Sequence, residues 1–225
     1  MTEFFRFPHV PHLAWLGAGQ PRDDKVLSPP EVAALLSGEV IVEEKVDGAN
    51  LGLSLGEGGM LRAQNRGQYL IPPYSGQFAR LPGWIAAHGE ALARVITPGL
   101  ILFGEWCAAR HSLDYDHLPD WFLLFDVYDR EAGRFWSVAR RNAMAEALGF
   151  DHVPRLAEGR FTVPRLKDLL AGVPSRYRQG PPEGLVIRSD DADHCLARAK
   201  LVRADFTQAI EGHWRSRAIS WNRLG

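Results

Sequence analysis

One lysine is the residue of this sequence best placed for covalent chemistry. Lys45 lies in the stretch EEKVDGAN, from Glu43 to Asn50, directly after the apolar run VIV. Only four of the 26 Lys and Arg residues are lysines. A lysine can be made neutral and nucleophilic by its surroundings, whereas an arginine stays protonated. The pattern Lys-x-Asp-Gly therefore indicates a nucleophile; the alternative is a surface lysine before an Asp-Gly hairpin turn.

Composition places the chain among ordinary globular proteins. Its 225 residues are 46% hydrophobic and 24% charged, enough to bury the core of one domain or of one domain with a small appendage. No apolar run reaches membrane-spanning length, and the N-terminus lacks a signal-peptide pattern. Cys107 and Cys195 cannot form a disulfide framework, so we expect reduced thiols in a cytoplasmic protein. The net charge of -1 identifies no partner.

The hydrophobic pattern predicts strands that are grouped together, with helices beside them. This arrangement favours an α+β fold with antiparallel sheets flanked by helices. Residues 1–38 are predicted to form an N-terminal arm with a short helix, and residues 201–225 a short C-terminal helical extension. The strand at 51–55 is predicted to be the hairpin partner of the strand at 39–46. Further strands are predicted at 60–65, 100–106, 121–128, 184–188 and 196–201, and helices at 28–36, 76–96, 137–148, 161–171 and 204–217.

Four clusters of polar or aromatic residues follow Lys45, each at the end of a predicted strand. They are Arg66 in QNRG, Glu105 in FGEW, Phe125 and Asp126 in LLFDVY, and Glu183 in EGLVIR together with Arg198 and Lys200 in RAKLV. In the order and spacing of these motifs the sequence resembles the covalent nucleotidyltransferase superfamily of ATP-dependent ligases and mRNA capping enzymes. The match is closest to RNA ligases of the phage RNA ligase 2 type, and it runs from Glu43 to Lys200.

The resemblance implies a single nucleotidyltransferase domain, the ATP-grasp-like adenylation domain of ligases, over residues 1–225. Lys45 would attack the α-phosphate of ATP, expel pyrophosphate and hold AMP through a phosphoramide bond. The attack needs a neutral amine, yet an isolated lysine has a pKa near ~10.4. Burial, the cations Lys200 and Arg198, and a bound metal are expected to lower that pKa. Glu44 and Asp47 would oppose the shift.

The same resemblance assigns the nucleoside contacts. Glu105 would accept hydrogen bonds from the ribose hydroxyls. Phe125 would stack on the adenine, although a Phe in this apolar run could equally belong to the core. Glu43 and Glu44, beside the nucleophile, are also expected to contact ATP or AMP.

Phosphate and metal contacts are assigned to the remaining motif residues. Lys200 would stabilise the α-phosphate, and Arg198 stands where the family usually has a second lysine. Asn50 is expected to contact phosphate or the nearby backbone. Arg66 is expected to supply a cation to the acceptor 5′-phosphate or to the AMP phosphate; the alternative is an ordinary surface arginine. Glu183 is expected to bind Mg²⁺ or Mn²⁺, because oxygen ligands suit these ions. Asp126, inside an apolar strand, requires a cation or a metal nearby.

Other polar residues are weaker candidates. His111, Asp114, Asp116 and His117 share one loop without metal-ligand spacing, and we expect this loop, residues 109–120, to be solvated. Near the C-terminus Arg203, Arg215 and Arg217 occur with tryptophans, which suits nucleic-acid binding; a helix with a solvated basic face is the alternative.

The resemblance implies an ATP-dependent RNA ligase that adenylates a 5′-phosphate end and joins it to a 3′-hydroxyl in RNA repair. About 25 residues follow Lys200, too few for the OB domain of DNA ligases and capping enzymes. We expect a monomer acting on nicked duplex RNA, with end-healing proteins as candidate partners. The alternatives are a DNA ligase, a capping-type nucleotidyltransferase, or a catalytically silent nucleic-acid-binding module.

Overall fold

A computed structural model describes residues 3–19, 21, 25–209 and 219–225. In this part of the chain nine strands form two sheets in which every pairing of neighbouring strands is antiparallel. The predicted α+β class with antiparallel sheets is therefore confirmed. The strands are β1 (Val40–Lys45), β2 (Ala49–Leu55), β3 (Leu61–Gln64), β4 (Leu100–Trp106), β5 (Phe122–Asp129), β6 (Arg134–Phe135), β7 (Arg155–Gly159), β8 (Gly184–Asp190) and β9 (Cys195–Val202).

Helices pack beside the sheets, and their ends follow local sequence signals. The Ser137 side chain accepts a hydrogen bond from the backbone N–H of Arg140, and Gly149 adopts φ 67° where the following helix ends. Residues 210–218 of the predicted C-terminal helix lie outside the described residues. The helices are α1 (Pro29–Leu35), α2 (Leu81–Val95), α3 (Val138–Leu148), α4 (Val163–Gly172) and α5 (Ala204–Ala209).

The predicted hairpin between the first two strands is wrong. The first sheet has the order β7-β1-β8-β9, and the second has the order β3-β2-β4-β5-β6. Residues 46–48 thus carry the chain from one sheet into the other instead of turning it back. A Cβ atom on Gly48 would lie 2.7 Å from the carbonyl oxygen of Trp106, so the crossing requires glycine at this position. The interpretation of Asp-Gly as a hairpin turn is excluded.

Each sheet has its own apolar core. The first sheet packs against α1 and α4, with Val42, Leu166 and Leu185 among the buried residues. The second packs against α2 and α3 around residues such as Trp84 and Leu102. Short segments between 134 and 159 that were not predicted as strands complete the sheets as β6 and β7.

Buried ion pairs connect the first sheet to the second sheet and its helix α3. Arg141 on α3 donates to Glu43 of β1 at 2.6 Å, and Arg188 of β8 donates to Asp126 of β5 at 2.8 Å. Arg198 of β9 pairs with the other oxygen of Asp126. These five side chains, called here the ion-pair seam, are at most 9% exposed. Buried charges are tolerated because each has a partner of opposite sign.

The N-terminal arm extends the first sheet. The backbone N–H of Leu13 donates to the Lys200 carbonyl at 2.7 Å, and the Lys200 N–H donates to the Pro11 carbonyl at 2.8 Å. Phe5 and Phe7 pack on the aromatic residues of β4, β5 and β6. The arm is therefore joined to the edge of the sheet at β9 through one parallel bridge between His12 and Lys200.

Loop 109–120 is solvated along much of its length, as predicted: the side chains of Asp114 and His117 are 61% and 67% exposed. The prediction missed its buried anchors, because Tyr115 and Leu118 are 1% and 0% exposed. Residues 219–225, called here the C-terminal strap, hydrogen-bond along this loop, with Asn222 accepting from the backbone N–H of Tyr115 at 2.9 Å. Among the described residues no helix is long and apolar enough to cross a membrane. Cys107 and Cys195 are free thiols, as expected.

Candidate active site

A cavity of about 620 Å³ opens where the ends of the two sheets meet. It is large enough for a nucleotide. The residues that the sequence assigned to the nucleotide and the metal come from five strands and two loops, and all of them line this cavity. They are Glu43, Glu44, Lys45, Asn50, Arg66, Glu105, Phe125, Asp126, Glu183, Arg198 and Lys200.

Lys45 is the last residue of β1 and lies opposite Gly184 in β8. This register brings its Nζ to 2.7 Å from Glu183 Oε2, with side-chain exposures of 26% and 6%. Burial favours the neutral amine, but the charges of Glu183, Glu105 and Asp47 outweigh it and raise the pKa of Lys45 above its usual value. The predicted lowering of this pKa is therefore not present in the protein without a nucleotide.

The carboxyl groups around Lys45 also have shifted pKa values. Burial raises the pKa of Glu183 to about 8 and that of Glu105 to about 7, although Lys45 favours the charged form of both. One buried amine is thus surrounded by more carboxyl groups than its charge can balance. Such an acidic site is suited to a hard divalent cation.

The donor set fits Mg²⁺ or Mn²⁺ held jointly by protein and substrate. Within the described ranges, no three His, Cys, Asp or Glu side chains form a ready-made metal cage. Mg²⁺ is commonly bound by one or two carboxylates together with substrate phosphates, and Glu183 can supply such a carboxylate. Asp126 does not fit this role, because its two oxygens accept from Arg188 and Arg198.

Asp47 and Gly48 shape the chain directly after the nucleophile. Asp47 Oδ2 accepts from the backbone N–H groups of Ser112 and Leu113, both at 2.7 Å, and its own N–H donates to the Tyr115 hydroxyl at 2.8 Å. The Asp of Lys-x-Asp-Gly therefore anchors loop 109–120 at the cavity.

Two of the residues predicted to contact phosphate or backbone carry a polar atom that lacks a hydrogen-bond partner within the described protein. These atoms are Asn50 Oδ1 and Arg66 Nε, and both are buried. Unpartnered buried polar groups are costly unless a ligand or water satisfies them. Their position agrees with the predicted phosphate and backbone contacts.

Three predicted nucleotide contacts have partners in the protein instead. The Glu43 carboxylate is paired with Arg141. Glu44 accepts from the Ser175 hydroxyl at 2.6 Å and from the backbone N–H of Arg176 at 2.9 Å. Arg198 is paired with Asp126 and lies over the ring of Phe135. Their side chains therefore support the cavity wall. Arg198, which was predicted to lower the pKa of Lys45, belongs instead to the ion-pair seam.

Sequence reasoning did not assign several of the lining residues to the site. Phe7 and Val10 of the arm, Gln77 and Arg188 face the cavity. His111 also lines it, although the sequence analysis treated this residue only as a weak metal candidate. His111 Nε2 lies 2.8 Å from Gln77 Oε1, and burial lowers the pKa of this imidazole. The type and spacing of these residues gave no signal, since only the folded chain brings the arm and the loop to the strand ends.

Of the predicted nucleic-acid residues, the structure describes only Arg203, which does not line the cavity. Arg203 forms an ion pair with Asp205, at 3.1 Å between Arg203 Nε and Asp205 Oδ1. Arg215 and Arg217 lie outside the described residues.

Lys45, at a strand end of one sheet, and Glu105, beside a strand end of the other, thus line the same cavity. Solved structures share this fold. A Naegleria gruberi RNA ligase with pyrophosphate superposes with a TM-score of 0.63 at 20% identity, covering 84% of this chain and 55% of that chain. A variant of that ligase with ATP and Mn gives 0.63 at 18% identity, covering 81% and 54%. An archaeal ATP-dependent RNA ligase gives 0.63 at 18% identity, covering 88% and 48%.

The chain belongs to the RNA ligase family, whose sequence model matches residues 38–202. It spans about half the length of the solved relatives it matches. No curated protein sequence matches the chain.

Proposed function

We propose that this protein is an ATP-dependent RNA ligase that forms a covalent lysyl-AMP intermediate at Lys45. The observation that carries the proposal is the position of Lys45, at a strand end inside a nucleotide-sized cavity and 2.7 Å from Glu183. Lys200 and Glu105 line the same cavity. Structures of related ligases with ATP, Mn and pyrophosphate support the choice of ATP and a divalent cation.

The first step joins the lysine to AMP. The neutral Nζ of Lys45 attacks the α-phosphorus, the bond from that phosphorus to the bridging oxygen breaks, and pyrophosphate leaves. Phe125 stacks on the adenine, Glu105 accepts from the ribose hydroxyls, and Lys200 stabilises the negative charge on the α-phosphate. Because its carboxylate neighbours keep Lys45 protonated, the amine must lose a proton before attack. Mg²⁺ or Mn²⁺, when bound beside Glu183, shields the charge of the triphosphate and of the carboxylates.

Two further transfers complete the proposed reaction. A 5′-phosphate oxygen of the RNA attacks the lysyl-AMP phosphorus, and the Lys45 amine leaves. The 3′-hydroxyl then attacks the adenylated 5′-phosphate, a phosphodiester forms and AMP is released. We propose nicked duplex RNA as substrate, and a cytoplasmic monomer in which residues 1–225 form one nucleotidyltransferase domain that receives ends from healing enzymes.

Labelling with ATP tests the nucleophile. Protein incubated with α-phosphate-labelled ATP and Mg²⁺ is expected to become labelled, and Lys45→Ala to remain unlabelled. Lys167→Ala is the matched control, because Lys167 is an exposed lysine on α4. Glu183→Ala and Lys200→Ala are expected to lose labelling without unfolding. Equal labelling of Lys45→Ala and wild type would refute the assignment.

Donor and substrate panels test the reaction class. ATP is expected to label the protein in preference to GTP and NAD, and nicked RNA to be sealed in preference to nicked DNA. Labelling by GTP alone would indicate a capping-type enzyme, and preferential sealing of DNA a DNA ligase. Nucleic-acid binding without labelling by any donor would indicate a silent binding module.

A further inference from the structure

The N-terminal arm contacts the same strand that carries two of the proposed site residues. Its backbone brackets Lys200, with hydrogen bonds of 2.7 Å from the N–H of Leu13 and 2.8 Å to the carbonyl of Pro11. β9 therefore has β8 on one side and the arm on the other, which fixes the main chain at Lys200. Upstream of this pairing, the arm continues past the cavity.

Phe7 of the arm lies between two side chains of the cavity. Its ring centroid is 5.3 Å from that of Phe125, with an interplanar angle of 69°. The guanidinium carbon of Arg198 lies 4.9 Å from the Phe7 centroid. Phe7 is 3% exposed, whereas Phe125 is only half-buried, so the arm ring is the fixed member of the aromatic pair.

We propose that the arm is a wall of the purine-binding site and that Phe7 is a positioning residue acting through Phe125 and Arg198. The inference rests on the proposed function in taking an adenine nucleotide as the ligand. An edge-to-face contact restrains the orientation of the Phe125 ring before the base arrives. A side chain that is already ordered loses less conformational freedom on binding, so the nucleotide binds more tightly.

Equilibrium binding of α,β-methylene ATP, which cannot transfer AMP, tests this role in the full chain with Mg²⁺. Phe7→Ala is expected to raise the Kd by roughly three- to tenfold, the range for one aromatic pair. Phe7→Leu keeps apolar bulk without the ring, and is expected to recover the melting temperature but not the Kd.

Phe5→Ala is the matched control. Phe5 lies two residues earlier on the same arm, stacks on Tyr128 with centroids 3.7 Å apart, and does not line the cavity. Its loss is expected to lower the melting temperature and leave the Kd unchanged. The same Kd for Phe7→Leu and wild type, or equal weakening by Phe7→Ala and Phe5→Ala, would overturn the inference.

The outcomes separate this inference from the proposed function. Wild-type protein that binds the analogue but is not labelled by ATP contradicts the covalent step, while the effect of Phe7 on Kd still decides the inference. If wild-type protein is labelled by ATP, but the Phe7 variants bind the analogue with the same Kd as wild type, the inference alone is contradicted. Wild-type protein that does not bind the analogue contradicts both.

Discussion

Glu43 and Lys45 project from the same face of β1, yet they form ion pairs of opposite polarity with different parts of the protein. Glu43 is paired with Arg141 at 2.6 Å, and Lys45 donates to Glu183 at 2.7 Å. Glu44 between them points to the other face, as strand geometry requires, and accepts from Ser175. One strand thus supplies a structural carboxylate, a loop anchor and the proposed nucleophile in three consecutive residues.

The ion pair of Glu43 makes Arg141 a stability determinant. Its guanidinium is 0% exposed and also donates to the Phe125 carbonyl at 2.7 Å. Arg141→Met removes the hydrogen-bonded partner of a buried carboxylate and leaves only Arg188, at 4.0 Å, as a counter-charge; it is expected to lower the free energy of unfolding by about 3–5 kcal/mol in urea titrations. Adding Glu43→Leu removes the carboxylate that has lost its hydrogen-bonded partner, so the double variant is expected to be more stable than Arg141→Met.

Arg155→Met is the control for this prediction. Arg155 and Glu158 form a pair of similar length, 2.7 Å, but their side chains are 56% and 52% exposed. Its loss is expected to change the free energy of unfolding by less than about 1 kcal/mol. Equal effects of the two substitutions would show that burial does not govern the Arg141 pair.

Gly48 is expected to tolerate no side chain. A Cβ atom there would lie 2.7 Å from the Trp106 carbonyl oxygen and 3.0 Å from Glu105 Cγ. Gly48→Ala must displace backbone beside Glu105, so it is expected to destabilise the protein by about 1–3 kcal/mol and to weaken the proposed adenylylation. Melting temperature and ATP labelling measure the two effects. Gly38→Ala, where a Cβ meets nothing within 4 Å, is expected to change neither.

Asn222 is expected to hold loop 109–120 in place from the C-terminal strap. Its carboxamide accepts from the Tyr115 N–H and donates to the Cys107 carbonyl at 2.8 Å. Asn222→Ala leaves buried backbone groups unpaired, so a loss of about 2–3 kcal/mol is expected. Hydrogen exchange should accelerate at the amides of the loop. Ser220→Ala is the control, since Ser220 contacts Arg110 through its main-chain carbonyl; unchanged exchange in Asn222→Ala would contradict the prediction.

Glu44 gives a prediction of pH dependence. Burial raises its pKa above the usual value, despite hydrogen bonds from Ser175 and Arg176. A carboxyl group with a raised folded-state pKa contributes stability below its unfolded pKa, and this contribution is lost as the pH rises through the folded pKa. Glu44→Gln removes the titrating carboxyl group. Its altered hydrogen bonding changes the melting temperature by an amount that does not depend on pH. The melting temperature of Glu44→Gln relative to wild type is therefore expected to be higher at pH 7 than at pH 4.5; a constant difference would contradict the shift.

Much of the cavity could be predicted because its residues stand at strand ends. A strand that ends in a buried pocket exposes its last side chain there, and Lys45, Glu105 and Glu183 each lie at or beside such an end. The order of elements also followed from local patterns, since strand alternation and helix caps are properties of neighbouring residues. The pairing of the strands could not be predicted from these local patterns. Asp-Gly is a common hairpin signal, and the contact at Gly48 that rules out a side chain comes from Trp106, 58 residues away.

The partners of the charged residues could not be predicted for the same reason. Arg141 is one of 22 arginines, and its partner Glu43 is 98 residues distant. Asp126 required a cation or a metal by its position in an apolar strand, but the sequence did not decide between them. The structure supplies Arg188 and Arg198, which face each other across β8 and β9 with the carboxylate of Asp126 between them.

The pairing of the arm with Lys200 has a consequence for biosynthesis. Contacts between residues 11–13 and residue 200 close nearly the whole length of the described chain, so they form late in folding. While the polypeptide is being translated, β1 with Lys45 emerges long before β8 and β9. A nascent chain that stops short of Glu183 lacks the carboxylate that Lys45 contacts at 2.7 Å, and it also lacks Lys200. Under the proposed function, we therefore expect labelling by ATP only once the chain beyond residue 200 has been made.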